Sequence, residues 1–139
     1  DCIATDHAPH SSLEKGVEGR EASPGMIGLG LVVPALLGLV ARGALSWARF
    51  VEALTSAPAR IAGLEAPSIA KGRLAELTLL APDEAFTVDA ARLRSKSKNT
   101  PFLGRTFHGR VKLTMASGRV AHDELEVHEA QGARRGSTA

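Results

Sequence analysis

The stretch Asp1-Cys2-Ile3-Ala4-Thr5-Asp6-His7-Ala8-Pro9-His10 decides how the rest of the chain is read. Its apolar, β-compatible start ends in a carboxylate, two imidazoles and a proline, so polar groups collect where a strand hands over to a loop. In α/β barrels that is where active sites lie. A strand this apolar needs neighbours on both sides, and only Asp1 and Cys2 come before Ile3. The expectation is therefore that these residues are the C-terminal part of a larger polypeptide.

The totals narrow the function classes. At 139 residues with 44% hydrophobic side chains, the chain has enough apolar material for one core. Its 17 basic and 15 acidic residues are interspersed, the longest basic run is Arg134-Arg135, and aromatics make up 4%. Nucleic acid is not an expected partner. Cys2 is the only cysteine, which excludes an intrachain disulfide and reads as a small core hydrophobe in a reducing, cytoplasmic setting. The most apolar segment, Ile27 to Ala41, is interrupted by Gly28, Gly30, Pro34 and Gly38, so no membrane span or export leader is expected.

Beyond the opening stretch, Ser11 to Gly25 is polar, and its length for a connection points to a functional loop ending in the turn former Ser23-Pro24-Gly25. Ile27 to Ala41 predicts a buried helix that Pro34 either kinks or starts, with Gly43 as its stop. Ser46 caps a second helix through Thr55, whose apolar face is Trp47, Phe50, Val51 and Leu54. A third short helix has Pro58 at its first position and Gly63 at its end. Near residue 66 the period changes. Leu74 to Leu80 alternates as a strand ended by Ala81-Pro82-Asp83, and Phe86 to Val88 forms another. Asp89 caps a helical turn, and Ser95 to Gly104 is an ordered loop. Gly109 to Ala116 and Arg119 to His122 pair across Ser117-Gly118. His108, His122 and His128 read as surface residues.

The chemistry concentrates in the opening motif. A carboxylate at an apolar strand end is poorly solvated unless a cation such as a divalent metal compensates it, and beside such a metal Asp6 could move a proton. It could equally cap the following turn. His10 could donate a hydrogen bond to an anionic ligand or stand idle in solvent. His7 points away from Asp6 if the segment is extended, which makes it structural.

Thr5-Asp6-His7-Ala8-Pro9-His10 resembles the signature near the last barrel strand of dihydroorotases of the amidohydrolase superfamily. The resemblance continues through Ser23-Pro24-Gly25-Met26-Ile27-Gly28-Leu29 and Leu54-Thr55-Ser56-Ala57-Pro58-Ala59-Arg60-Ile61-Ala62-Gly63-Leu64. Lys71-Gly72, Ala75 to Leu79 and Ser97-Lys98-Asn99-Thr100-Pro101-Phe102 extend it to about His122, in the manner of the longer bacterial enzymes.

The resemblance implies an α/β fold in two parts. Residues 1–65 would be the last strand, active-site loop and closing helices of a (β/α)8 barrel, 66–130 part of a small composite β-sandwich, and 131–139 a tail with nothing to bury. It also implies zinc-dependent, reversible cyclisation of N-carbamoyl-L-aspartate to L-dihydroorotate in pyrimidine biosynthesis. Asp6 would be metal ligand and proton shuttle, His10 the residue that binds the substrate carboxylate, and Pro24 and Gly25 loop positions whose backbone meets the ring. One or two zinc ions would be held mostly by residues upstream of Asp1, so these residues alone would be inactive. The implied partners are the upstream part of the same polypeptide and either a second copy or an aspartate carbamoyltransferase. The competing expectations are a non-catalytic subunit scaffolding that transferase, a hydantoinase- or allantoinase-type amidohydrolase, and a stand-alone β-rich binding module formed by residues 66–130.

Overall fold

The structure, a computed structural model, describes residues 1–11, 15–16, 18, 20–21 and 23–125. The expected tail and His128 lie outside the described residues, as does part of the Ser11 to Gly25 loop. Among the described residues, the helices α1 (Val32–Ala41), α2 (Trp47–Leu54) and α3 (Ser56–Ile61) precede the sheet. Three strands follow: β1 (Leu77–Thr87), β2 (Thr106–Ala116) and β3 (Arg119–Asp123), forming one antiparallel sheet in the order β1-β2-β3.

Only the last ten residues of the apolar run form α1. Pro34 falls in the first turn, where a missing N–H costs no intrahelical bond, so it marks the helix start. Gly43 closes the helix with φ of 72°, its N–H donating to the Val40 carbonyl at 2.9 Å while Ala44 donates to Leu39 at 3.0 Å. This paired closure needs a residue that accepts positive φ, and glycine does so without strain. The Ser46 hydroxyl accepts from the Arg49 N–H at 3.2 Å and caps α2 as expected.

The expected face of α2 is corrected. Phe50 and Ala53 are buried, whereas Trp47 is 48% and Val51 50% exposed, because no element among the described residues covers that side. Pro58 is the third residue of α3, not the first, since the chain resumes helical geometry directly after Thr55.

The two short strands expected around Pro82 are one long strand. Register passes from Ala81 opposite Arg110 to Ala85 opposite His108, so Pro82, Asp83 and Glu84 bulge opposite the single residue Gly109. A bulge suits a residue that cannot donate to the ladder. The same irregularity receives α1. Gly109 has φ of +100°, and a Cβ there would lie 2.2 Å from Leu37 Cδ1, so the buried Leu37 packs directly on strand backbone. Glu84 extends from the bulge to Lys112 at 3.0 Å and Arg110 at 3.3 Å, and Arg110 Nε meets Glu124 at 2.8 Å. Lys112 is thus buried beside a counter-charge.

The hairpin between β2 and β3 matches the expectation, with positive φ at both Ser117 and Gly118. Asp89 Oδ1 accepts from the Ala91 N–H at 2.9 Å and caps the single helical turn Ala90–Arg92. His108 is exposed. His122 is half-buried, with its ring nitrogens near Arg94 Nη2 at 2.9 Å and the Val111 carbonyl at 3.2 Å. Among the described residues no second sheet faces the first, so a β-sandwich is not formed here; one side carries α1 instead.

The opening stretch is not a strand. Its β contact is a single parallel bridge between His7 and Met26. Otherwise Ile3 donates to the Ala53 carbonyl at 3.0 Å and Arg49 to the Asp1 carbonyl at 2.9 Å. A parallel strand takes its partners from distant parts of a chain, and no other described strand lies beside it. For the same reason Cys2 is exposed, which corrects its reading as a core residue.

Candidate active site

Local geometry makes the opening motif a corner. Asp6 is exposed and has φ of 43°, a left-handed conformation that aspartate tolerates better than most residues and that recurs at functional sites. His7 anchors the corner, its Nδ1 accepting from the N–H groups of both Gly28 and Leu29 at 3.2 Å. Two incoming donors require a bare lone pair at Nδ1, which places the proton of the neutral ring on Nε2. His7 therefore locks the turn that leads into α1, in keeping with a structural role.

Beyond the corner, Ala8 donates to the Met26 carbonyl at 2.9 Å and His10 folds back to the Ala8 carbonyl at 3.0 Å. These bonds lay the segment Pro24 to Ile27 alongside the motif. Gly25, with φ of +102°, sits so close that a Cβ would lie 2.7 Å from Ala8 Cβ and 3.9 Å from His10 Nε2. Any side chain at 25 would push the loop off the motif. The structure thus brings His10 and Gly25 together. Pro24 is exposed beside them, and Asp6 stands at the preceding corner.

Two residues that the sequence reading did not single out complete the arrangement. Lys15 Nζ donates to the Gly25 carbonyl at 2.7 Å and to the Ser23 carbonyl. Asn99 Nδ2 donates to the same Gly25 carbonyl at 2.9 Å from 74 residues along the chain. No spacing signal could link residues so far apart. A cavity of about 800 Å³ opens beside His10, lined also by Lys15, Lys96, Ser97, Lys98 and Asn99, and its cationic rim suits an anionic ligand. Among the described residues no three His, Cys, Asp or Glu side chains are grouped closely enough to hold a metal ion. No zinc site is thus completed among the described residues, where Asp6 is one exposed carboxylate that could serve as a ligand.

The sequence profile of the amidohydrolase family matches residues 1–121. The chain belongs to the amidohydrolase family. This amidohydrolase segment is 48% identical over 124 residues to a dihydroorotase of Anaeromyxobacter dehalogenans, covering 89% of this chain and 29% of that protein. It is 43% identical over 122 residues to a dihydroorotase of Sulfurihydrogenibium sp., covering 88% and 29%. The chain thus spans less than a third of the length of the curated relatives it matches. Among solved structures, a D-hydantoinase (dihydropyrimidinase) from Thermus sp. aligns with a TM-score of 0.77 at 29% identity, over 89% of this chain and 28% of that one. No helix among the described residues is long and apolar enough to cross a membrane.

Proposed function

We propose that this amidohydrolase segment is the C-terminal part of a dihydroorotase, which closes N-carbamoyl-L-aspartate to L-dihydroorotate with loss of water, and the reverse. The observation that carries the reading is the close approach of Gly25 to His10, which lines a cationic cavity shortly after the Asp6 corner, in a segment 48% identical to a dihydroorotase. The substrate is anionic, and His10 with the neighbouring lysines supplies donors for its carboxylate. The Gly25 carbonyl accepts from Lys15 and Asn99, which holds the Pro24-Gly25 backbone where it would meet the ring amide. Asp6 is the group that takes and returns the proton exchanged between water and the ring nitrogen. Zinc, with most ligands contributed from outside these residues, would supply the electrophilic chemistry. The remainder of the barrel and sandwich comes from the same longer polypeptide, which works in the cytoplasm, and Asp1 to Ala139 alone is inactive. Retention of Asp6 and His10 favours this over a scaffold-only partner of aspartate carbamoyltransferase.

The test is a zinc-loaded chimera in which this segment replaces the corresponding one of the Anaeromyxobacter dihydroorotase. It should cyclise N-carbamoyl-L-aspartate, and Asp6→Asn should lower kcat at least about a thousandfold, the scale of a lost proton-transfer group. Equal turnover with and without that substitution would exclude Asp6 from the chemistry. Hydantoin hydrolysis without dihydroorotate turnover would assign the segment to the hydantoinase type, whose Thermus member it resembles structurally.

A further inference from the structure

We infer that Asn99, carried by the loop between the Ala90–Arg92 turn and β2, is a positioning residue for the substrate loop, setting the backbone of Gly25 against His10. The inference rests on the dihydroorotase reading and extends the site into the β-rich half of the chain. Gly25, Met26 and Ile27 are held from two sides. Met26 offers its carbonyl to the Ala8 N–H at 2.9 Å, which ties the segment to the opening motif. On the other side Asn99 holds both neighbours: its carbonyl accepts from the Ile27 N–H at 2.9 Å and its Nδ2 donates to the Gly25 carbonyl at 2.9 Å. Alternate residues of an extended segment face opposite ways, so Asn99 meets Gly25 and Ile27 while Ala8 meets Met26.

Asn99 is itself held in place. Its N–H donates to the Ser97 hydroxyl at 3.1 Å, and Ser97 is buried. Lys98 Nζ closes the preceding loop on the carbonyls of Leu93 at 2.6 Å and Ser95 at 2.7 Å. The clamp therefore springs from a rigid base. Only the NH2 end of the amide can meet a carbonyl, so its orientation is set by chemistry. What it fixes matters because Gly25 has no side chain to steer it and sits at positive φ, where its backbone has more freedom than any other residue's. Holding the Gly25 carbonyl and the Ile27 N–H fixes the Gly25–Met26 peptide, and with it the close approach of Gly25 to Ala8 and His10, before a ligand arrives.

Kinetics of the zinc-loaded chimera test this. Asn99→Ala removes one of two donors to the Gly25 carbonyl and leaves Lys15 in place, so KM for N-carbamoyl-L-aspartate should rise about tenfold with kcat within about twofold, the pattern of lost ground-state binding. Asn99→Asp keeps the size but turns an acceptor on the Gly25 carbonyl, and should raise KM further at an unchanged thermal midpoint. It serves if the alanine variant is poorly folded. An unchanged KM in folded variants overturns the inference, as does a fall in kcat and thermal midpoint together at constant KM, which would make Asn99 merely structural. If the unsubstituted chimera folds, binds zinc and does not turn over, the dihydroorotase reading fails and the inference with it.

Discussion

The two halves of this chain satisfy their backbones in opposite ways. From Leu77 onward, β1, β2 and β3 pair with sequence neighbours through a bulge and a tight turn, so the ladder is complete within about fifty residues. The opening stretch carries an equally β-compatible sequence and makes one bridge plus scattered bonds to Ala53 and Met26. An antiparallel meander needs only local chain, whereas a parallel strand depends on partners far away in sequence. Both halves nevertheless leave apolar side chains exposed: Ile61 is 61% and Leu64 68% exposed in the first, Leu79 48% and Val120 56% in the second.

Hydrogen exchange is the measurement that could break this contrast. Amides of β2 that are paired on both sides, such as Leu113 and Thr114, should exchange roughly a hundredfold more slowly than those of Cys2 and Ala4, because only the former lie in a two-sided ladder. Comparable protection in both would mean that the opening stretch finds a partner of its own.

The seam between the halves gives the next largest effect. A Cβ at Gly109 overlaps Leu37, so Gly109→Ala should cost about 2–3 kcal/mol of unfolding free energy, and Leu37→Ala about 2–4 kcal/mol through the cavity it leaves. Combined, they should cost less than the sum by about 1 kcal/mol or more, since the shorter side chain removes the overlap. Strict additivity in denaturant titrations would show that α1 does not rest on β2 at this point.

The smallest effect is electrostatic and belongs to α2. The Arg49 guanidinium, 2.8 Å from Glu52, holds that carboxyl below its ordinary 4.5 by hydrogen bond and then by charge. Because the folded chain binds this proton less readily than the unfolded one, the pair favours folding above pH 4.5 and that contribution fades as pH falls through the depressed value. Both partners are exposed, so the difference in unfolding midpoint between the parent and Glu52→Gln should be small near neutrality, vanish once acid protonates Glu52 in the folded chain too, and shrink in high salt. A difference that grew on acidification would reverse the sign.

What was legible in the sequence follows the same division. Caps and turns read correctly, since Ser46, Asp89, Gly43 and Ser117-Gly118 each act through bonds to residues at most a few positions away. The long β1 was misread as two strands because Pro82 ends a strand by its own chemistry, and only the register opposite Gly109 turns that ending into a bulge. The face of α2 was overestimated because periodicity marks what can be buried, not what there is to bury it. At the site, Asp6, His10 and Gly25 stood out by residue type and resemblance. Lys15 did not, and Asn99 stood only inside a quoted stretch with no role attached, because the Gly25 carbonyl that both hold bears no mark of its own in sequence.

The bulge in β1 also bears on how this segment behaves in a crowded cell. β1 is an edge strand, and edges with long unbroken rows of free donors and acceptors recruit strands from other molecules. Here the row is cut into Leu77 to Ala81 and Ala85 to Thr87 by a proline with no donor, the exposed Asp83 and a glutamate tied to Lys112. Each remnant offers a shorter row than the eleven-residue strand would if unbroken. The irregularity that seats α1 on one side thus also discourages self-association along the open edge.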